Sequence, residues 1–487
     1  MSTRLSASVT PVVLSGANRH VANRFTFGID ETVTADVTSL GGWNQWLTRH
    51  AMSSASEDPA ANAVAGWYPR LADTPAQAWD RVQSSQSSAG EYGLAFVSYT
   101  LARKIVARRQ LHEVMADFWS NLLFIPAAED RSFPWRFHYD TIIRNNALGT
   151  FRALLRETVV HPAMSGWLNN SENTKNGINE NLGRELLELY TVGRPAGYTE
   201  EDVKNSARIL TGFSVKIFAG YASSYVPANH YTGPVSVLGF SHANAAADGR
   251  PVVNEYLDYL ARHPATAARI ARRLCVRFVS DTPSDAIVSA VAAAYRSSDT
   301  DIKATLTALV SHPEFLASAG KKVRTPTEDV VNTARVLGMV PTKPTRASSF
   351  ANQLFGIASA TGQQQFGWPR PDGFPETSST WTSPARVIRT WRARYHFVAN
   401  WSAMTEMTLP SKANSMPTAW PRSLDDLVEH QSRVLIGLPS TAATKAAVAT
   451  TLGRAQTSTF ANAAAVSDWT WTIIRALVIN QPEGMTR

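Results

Sequence analysis

The most informative stretch of this chain is Asn179–Gly193, which reads Asn-Glu-Asn-Leu-Gly-Arg-Glu-Leu-Leu-Glu-Leu-Tyr-Thr-Val-Gly. We call it the signature segment. Its leucines recur with helical spacing, so the pattern predicts an α-helix over Asn179–Val192 with one apolar face. With 100° between successive residues, that face consists of Leu182, Leu186, Leu189 and Tyr190.

The acids of the signature segment fall in two places on this helix. Glu180, Arg184 and Glu188 share the side opposite the leucines at i, i+4 and i+8, a spacing typical of an exposed ion-pair ladder. Glu185 projects at the edge of the apolar face, where an ionised carboxylate must be paired or have a raised pKa. Glu185 is therefore the best candidate for a perturbed acid, and a buried structural pair with an arginine of another helix is the alternative.

A second helix follows the signature segment. Gly193 and Pro195 end the first helix, and Thr199 with Asp202 forms a capping box for the next one. We expect a helix over Thr199–Phe213 that packs against the first through the turn Gly193–Tyr198. Its inward face is predicted to contain Val203, Ala207 and Leu210.

These motifs resemble the signature of a bacterial family, the domain of unknown function 1800 family. That family carries an Asn-Glu-Asn-x-x-Arg-Glu-Leu-x-Glu-Leu core, a Gly-Tyr-Thr-x-x-Asp-Val helix start and an Ala-Arg-x-Leu-Thr-Gly-Trp close, which here is Ala207–Phe213. The resemblance covers most of the chain. Its further segments are Phe118–Asn121, Leu148–Phe151, His161–Met164, His263–Leu274, His312–Phe315 and Gly367–Gly373.

The resemblance also shows what this member lacks. Relatives often have histidines where this chain has Leu122, Asn146 and Tyr190, and their downstream His-Asp pair is here His230-Tyr231. Histidine is the usual borderline metal ligand, and losing three would dismantle a centre built from histidines and carboxylates. We therefore predict no metal site and no cofactor.

Composition excludes several classes of protein. Of 487 residues, 44% are hydrophobic and 18% are charged, an ordinary globular profile, and no apolar run is long enough to span a membrane. The net charge of +8 comes without a basic cluster, so no nucleic acid is expected as a partner. The single cysteine, Cys275, excludes an intramolecular disulfide and is predicted to be buried. The weak apolar stretch Leu5–Ala17 is interrupted by Pro11, so we predict a cytoplasmic protein, although relatives are often exported.

The dominant apolar period is helical. We predict a mainly α fold, a large multi-helix domain over residues 1–487 with a small irregular or β-hairpin insert in Phe213–Phe240. Subdomains at 1–215, 216–340 and 341–487 are possible divisions. Three His-Pro pairs, at His161, His263 and His312, mark helix starts. Ile388, Trp391, Tyr395 and Val398 form a helical stripe. For Trp391 and Trp401 a place in the core is favoured.

A second candidate segment for function is Gln363–Glu376, which we call the aromatic loop. It reads Gln-Gln-Gln-Phe-Gly-Trp-Pro-Arg-Pro-Asp-Gly-Phe-Pro-Glu. Its prolines and glycines predict an extended, turning loop that displays aromatic rings beside charged groups. Such a loop is typical of a cleft for a polar ligand, especially a sugar. The predicted binding residues are Asn181, Arg184, His230, Phe366, Trp368, Arg370 and Glu376.

Three functions remain open on this evidence. The first is a hydrolase-like enzyme that acts on a polymer, most plausibly a glycan, with carboxylates as its acid and base. The second is a non-catalytic binding or scaffold protein, and the third is a metal-dependent or oxidative enzyme whose ligands the spacing does not reveal. Motifs for serine hydrolases, phosphate-binding loops and dinucleotide sites are absent. The predicted catalytic residues are Glu180, Glu185, Glu188 and Asp372, with Glu376 as the alternative to Asp372 for the second acid. Glu185 or Glu180 is expected to face Trp368 or Asp372 across one cleft.

Overall fold

The structure is a computed structural model that describes residues 13–345, 349–400 and 406–487. It confirms the mainly α fold class. Residues 1–12, which include most of the segment on which the compartment was predicted, lie outside the described residues. Up to the first strand the described helices are α1 Gly16–Phe25, α2 Glu31–Ser39, α3 Trp43–Met52, α4 Pro59–Ala63, α5 Pro75–Gln83, α6 Ala89–Val106, α7 Gln110–Leu122, α8 Arg136–Asn146, α9 Phe151–Val159, α10 Pro162–Trp167, α11 Asn181–Glu185 and α12 Glu200–Ile209.

The second part of the chain is also helical. Its described helices are α13 Arg250–Arg262, α14 Pro264–Phe278, α15 Asp285–Ser297, α16 Ile302–Ser311, α17 Pro313–Leu316, α18 Pro326–Val336, α19 Phe350–Ala360, α20 Pro384–Ala399, α21 Lys412–Ser415, α22 Leu424–Leu435, α23 Ala442–Leu452, α24 Asp468–Ile479 and α25 Pro482–Met485.

Short antiparallel ladders interrupt the helices. The predicted insert contains two hairpins, β1 Phe213–Val215 with β2 Ser223–Tyr225, and β3 Val235–Val237 with β4 Phe240–His242. Two further ladders join residues far apart in the sequence, and no local pattern predicted them. They are β5 Val340–Pro341 with β6 Met407–Thr408, and β7 Arg422–Ser423 with β8 Thr459–Phe460.

The three His-Pro pairs begin helices, as predicted. His161, His263 and His312 each cap a helix whose first residue is the proline. In each case Nδ1 of the ring accepts the backbone N–H two residues further on, at 3.1, 3.2 and 3.2 Å respectively. Because Nδ1 is an acceptor, the neutral ring carries its proton on Nε2. These histidines therefore act as caps and offer no Nε2 lone pair to a metal.

The signature segment is less regular than predicted. Only α11 is α-helical, and the chain continues as a π-turn over Leu186–Tyr190. A π-turn places more residues in each turn than an α-helix does, so the apolar face shifts. Leu187 is consequently fully buried, whereas Leu189, which was predicted on the apolar face, is half-buried.

The signature segment packs tightly against α12. A Cβ atom added at Gly183 would lie 2.8 Å from the backbone nitrogen of Ala207 and 3.1 Å from the carbonyl oxygen of Val203. The two backbones are therefore in contact, and a larger residue at Gly183 would push them apart. The predicted capping box is present, because Thr199 Oγ1 accepts the Asp202 N–H at 3.1 Å while Asp202 accepts the Thr199 N–H at 2.7 Å.

One contiguous hydrophobic cluster contains buried side chains from Leu14 to Ile479. Cys275 lies in this cluster, as predicted, and burial raises the pKa of its thiol to about 12. The proposed division into subdomains stays a prediction. Among the described helices, none is long and apolar enough to cross a membrane.

The predicted core position of Trp391, on α20, is wrong, and Trp401 lies outside the described residues. Ile388 is 64% exposed and Trp391 is 45% exposed. The opposite face of α20 is buried because it carries Arg386 and Arg394, which both pair with the buried carboxylate of Asp329. Leaving the buried carboxylate of Asp329 without a partner would cost more free energy than exposing an isoleucine. The ion pairs therefore set the orientation of α20.

Candidate functional site

Two of the three acids in the signature segment are held in ion pairs. Arg184 donates to Glu180 at 3.1 Å and to Glu200, at the start of α12, at 2.6 and 2.9 Å. Glu188 accepts from Arg194 at 2.8 Å and from the Tyr198 hydroxyl at 3.1 Å. The predicted pairing of Arg184 with Glu180 is thus present, but Glu188 pairs across the following turn instead. These contacts tie the segment to α12 and to its turn.

Glu185 is different. Its carboxylate is half-buried and makes no hydrogen bond or ion pair with any described residue. Burial raises its pKa, and the nearby charges of Glu188 and Asp372 raise the pKa further, while Arg184 and Arg194 oppose the shift. A carboxyl group of this kind holds its proton to a higher pH than an ordinary glutamic acid does. Asp372 of the aromatic loop is therefore close enough to Glu185 to act on it electrostatically, while a cleft shared by the two segments stays a prediction.

Asp372 is fixed by its own loop. The indole N–H of Trp368 donates to Asp372 Oδ1 at 2.7 Å, and Arg370 pairs with Asp372 Oδ2 at 3.1 Å. The Arg370 guanidinium in turn lies 5.1 Å from the centre of the Trp368 ring. An indole N–H and a guanidinium therefore fix the orientation of this carboxylate. Glu185 and Asp372 thus have opposite environments, one unpaired and half-buried, the other held by hydrogen bonds.

Asn121, at the end of α7, anchors the aromatic loop. Its Oδ1 accepts the Phe374 N–H at 2.8 Å, and its Nδ2 donates to the Phe374 carbonyl at 2.9 Å and to Glu376 Oε1 at 3.2 Å. The amide therefore pairs with the loop backbone as a neighbouring strand would. Phe118–Asn121 was noted in the sequence only as part of the resemblance, and nothing in it indicated this contact.

Gly373 follows Asp372 at the tightest point of the loop. Its φ is +71°, in the left-handed region, and an added Cβ would lie only 2.0 Å from the carbonyl oxygen of Asn121. Only glycine fits here, because any side chain would overlap the end of α7. The backbone beside Asp372 is thus held from both sides.

The prediction that the aromatic loop displays its phenylalanines is wrong. Phe366 is 7% exposed and packs against Phe96 with a centroid distance of 5.1 Å, and Phe374 is 8% exposed. Both rings belong to the core, because the hydrophobic effect favours burying them once the loop folds back on α7. Trp368 is half-buried, so it is the aromatic ring of this loop that a ligand can reach.

The predicted role of Glu376 in binding is also wrong. Its side chain is 5% exposed and lies in a buried charged cluster with Arg277, 3.7 Å away. Arg277 also contacts Glu328 at 2.7 Å and Asp117 at 3.1 Å. Glu376 lines a cavity of about 30 Å³, which is too small for a substrate. This carboxylate therefore fixes the far end of the aromatic loop.

His230 does not reach the site. It is 1% exposed, and its Nε2 lies 3.0 Å from Asn244 Oδ1 while its Nδ1 lies 3.1 Å from Thr211 Oγ1. Its ring packs on Gly249, where a Cβ would come within 2.2 Å of it. The prediction of a binding role for His230 is therefore wrong. Asn181 is half-buried at the first turn of α11, where its backbone N–H donates to Asn179 Oδ1 at 3.1 Å.

Tyr190 was placed by sequence reasoning on the apolar face and at a position where relatives have histidine. It is fully buried at the end of the π-turn, and its hydroxyl has no hydrogen-bond partner among the described residues. Burial raises its pKa well above the ordinary value, with smaller contributions from Tyr139, Glu185 and Asp372. Tyr190 therefore remains a neutral phenol beside the two carboxylates. The sequence did not indicate that this hydroxyl lacks a hydrogen-bond partner, because helical periodicity predicts burial and not hydrogen bonding.

The positions at which relatives have histidine are not organised for a metal. Leu122 and Tyr190 are buried, and Asn146 uses its Nδ2 to donate to the Ile142 carbonyl at 3.0 Å. The residues that the structure describes contain no group of three or more histidine, cysteine or acidic side chains able to hold an ion.

The fold and this site define a mainly helical protein in which two carboxylates of contrasting environment, one in the signature segment and one in the aromatic loop, lie within electrostatic range of each other. The chain matches the family model described as "Protein of unknown function (DUF1800)" over residues 20–486. It therefore belongs to that family, and the resemblance noted in the sequence is confirmed. No curated protein and no solved structure matches it.

Proposed function

We propose that this protein is a hydrolase that uses Glu185 and Asp372 as a pair of catalytic carboxylates and acts on a polar polymer, most plausibly a glycan. The observation that carries the proposal is the unpaired, half-buried Glu185 with its raised pKa beside the hydrogen-bonded Asp372. An acid and a base in one site require two carboxyl groups in different surroundings, and here Glu185 has no partner and a raised pKa whereas Asp372 is held by Trp368 and Arg370.

The roles follow from these environments. Protonated Glu185 donates its proton to the oxygen of the bond that breaks, so the leaving group departs as a neutral hydroxyl. Ionised Asp372 accepts a proton from a water molecule whose oxygen bonds to the reacting carbon. The reaction consumes one water molecule, so that the reacting carbon gains a hydroxyl group and the oxygen of the leaving group gains a proton. Trp368 supplies an aromatic face for a sugar ring next to the carboxylate that it holds.

The rest of the arrangement keeps the two carboxylates in place. Asn121 and Gly373 fix the loop backbone on one side, and the ion pairs of Glu180 and Glu188 fix the signature segment on the other. Glu180, Glu188 and Glu376 are therefore proposed to have structural roles. Active sites are most effective when their groups are held rigidly before the substrate arrives.

The test is a screen of the purified protein against soluble glycans, with release of reducing ends as the readout. Glu185→Gln and Asp372→Asn should each lower the rate by about 100-fold or more, as loss of a general acid or base does. Glu201→Gln, at an exposed glutamate on α12 that pairs only with Arg208, is the matched control and should leave most of the rate. Glycan binding without any release of reducing ends would instead favour the non-catalytic alternative. Equal losses in the Glu185 and Glu201 variants would reject the assigned roles.

A further inference from the structure

A second concave feature lies away from Glu185 and Asp372. It is a groove of about 540 Å³ between the hairpin β3–β4 and the junction of α13 with α14. Its volume falls within the range of roughly 300–1,000 Å³ that is usual for ligand clefts. Nothing in the proposed hydrolytic site uses it.

Aromatic rings form the walls of this groove. The Phe240 and Tyr259 rings have centroids 5.7 Å apart, and those of Tyr259 and His263 are 5.8 Å apart. The Tyr259 hydroxyl donates to the Leu238 carbonyl at 2.5 Å, which fixes the ring against the hairpin. All three rings are half-buried, so each keeps one part open to the groove. The walls are therefore rigid and partly apolar.

His263 supplies a fixed hydrogen-bond donor. Its Nδ1 accepts the Ala265 N–H at 3.2 Å as the cap of α14, and burial lowers its pKa. A neutral ring with an accepting Nδ1 carries its proton on Nε2. The Nε2–H makes no hydrogen bond to any described residue, so it is available to a ligand in the groove.

The charged groups at the groove are balanced and mostly held in place. Asp258 pairs with Arg152 at 3.3 Å and with Arg156 at shorter range, and Arg262 pairs with Asp299 at 2.6 Å. Glu255 is the exception, since it is 61% exposed and its nearest basic group, His242 Nε2, is 4.0 Å away. Glu255 is thus an accessible acceptor in a groove that carries no large net charge.

We propose that this groove binds a neutral saccharide. Aromatic faces pack against the C–H faces of a sugar ring, while a carboxylate and an N–H donor hydrogen-bond its hydroxyls, and the groove holds these groups in one place. The balance of charges disfavours a strongly anionic or cationic ligand. The inference is independent of the hydrolytic reaction, because the groove shares no residue with Glu185 and Asp372.

The groove is nevertheless connected to the signature segment. Helix α14 begins at the groove, and its Arg269 donates from Nε to the Leu189 carbonyl of the π-turn at 3.0 Å. The hairpin on the other side is joined to α12, since the Leu238 N–H donates to Asp202 Oδ1 at 3.0 Å. A saccharide held in the groove would therefore be bound by elements that also support the signature segment.

The experiment is binding of cellohexaose, maltohexaose and chitohexaose to the full chain, followed by saturation-transfer NMR and calorimetry. At least one should bind saturably, and Glu255→Ala and His263→Asn should each weaken it by about tenfold or more. Asparagine is a good helix cap, so His263→Asn keeps the start of α14 and removes the Nε2–H donor. Trp391→Ala, at an exposed aromatic elsewhere, should leave the affinity unchanged.

Several results would overturn the proposal. Failure of all three hexasaccharides to bind would do so, as would unchanged affinity in both groove variants. Binding of an uncharged hexapeptide with the same sensitivity to Glu255→Ala would assign the groove to peptides instead. Glu185→Gln should retain the binding in this groove, so loss of hydrolysis and loss of this site are separate outcomes.

Discussion

Replacing Gly373 with alanine tests whether the contact between the aromatic loop and Asn121 holds Asp372 in position. The residue has φ +71°, and the new Cβ would lie 2.0 Å from the Asn121 carbonyl oxygen, far inside van der Waals contact. The left-handed conformation costs an alanine about 1–2 kcal/mol. Relief of the overlap requires a backbone shift that costs about 1–3 kcal/mol more. We therefore expect Gly373→Ala to lower the free energy of unfolding by about 2–5 kcal/mol.

A matched control separates the two contributions. Gly320 has φ +74°, nearly the same conformation, and no atom lies within 4 Å of its added Cβ. Gly320→Ala should therefore lose only the conformational part, about 1–2 kcal/mol. Both variants are measured by urea unfolding followed by circular dichroism, with the midpoint and the slope reported separately.

The same variant has a second readout at the site. Because the charge of Asp372 contributes to the raised pKa of Glu185, a displaced loop should lower that pKa towards the ordinary value. Carbon-13 NMR of the glutamate carboxyl groups, assigned with Glu185→Gln, measures it. Equal stability losses for Gly373→Ala and Gly320→Ala, with the Glu185 pKa unchanged, would refute the view that this contact positions Asp372.

Further predictions concern single side chains. Burial raises the folded-state pKa of Glu185, so its ionisation destabilises the fold as the pH rises through that pKa. Glu185→Gln should therefore leave the free energy of unfolding unchanged near about pH 4 and raise it slightly near about pH 8, as measured by urea unfolding at both pH values. Thr199→Ala removes the capping box with Asp202 and should lower the free energy of unfolding by about 1 kcal/mol in the same assay. Thr74→Ala removes an equivalent box on α5, so it should cost a similar amount and leave glycan hydrolysis intact. Cys275 should not react with a thiol reagent in the folded protein and should react fully in urea, because burial both hides it and raises its pKa to about 12; rapid labelling of folded protein would contradict its placement.

Local chemistry made several features predictable from the sequence. The His-Pro helix starts and the Thr199–Asp202 box depend on atoms within three residues of one another, so a short stretch of sequence contains all the information. Burial of Leu182, Leu186 and Tyr190 also followed from spacing alone, because a helix in a globular protein turns its apolar face inward. The special character of Glu185 was predictable for the same reason, as an acid at the edge of that face.

Other features depended on partners distant in the sequence. The orientation of α20 is set by ion pairs with Asp329, so the apolar spacing of Ile388 and Trp391 pointed to the wrong face. Glu376 was predicted as a binding residue because nothing near it in the sequence reveals the buried Arg277 that it faces. Phe366 was predicted to be displayed because loop composition does not show that the loop folds back against α6 and its Phe96.

The sequence by itself determined the family, the mainly α fold class, the helix boundaries that depend on local caps, and Glu185 as the carboxylate with an unusual environment. Only the tertiary structure decided which acids are held in ion pairs, because the partner of an acid can be distant from it in the sequence. It assigned Glu180 and Glu188 to ion pairs, and it brought Asp372 to Glu185 through the hold of Asn121 on the aromatic loop. The physical reason is the range of the interactions. Backbone conformation and capping depend on a few neighbouring residues of the chain. The pKa of a carboxyl group responds to every charge and every apolar surface around it, including those from residues far apart in the sequence.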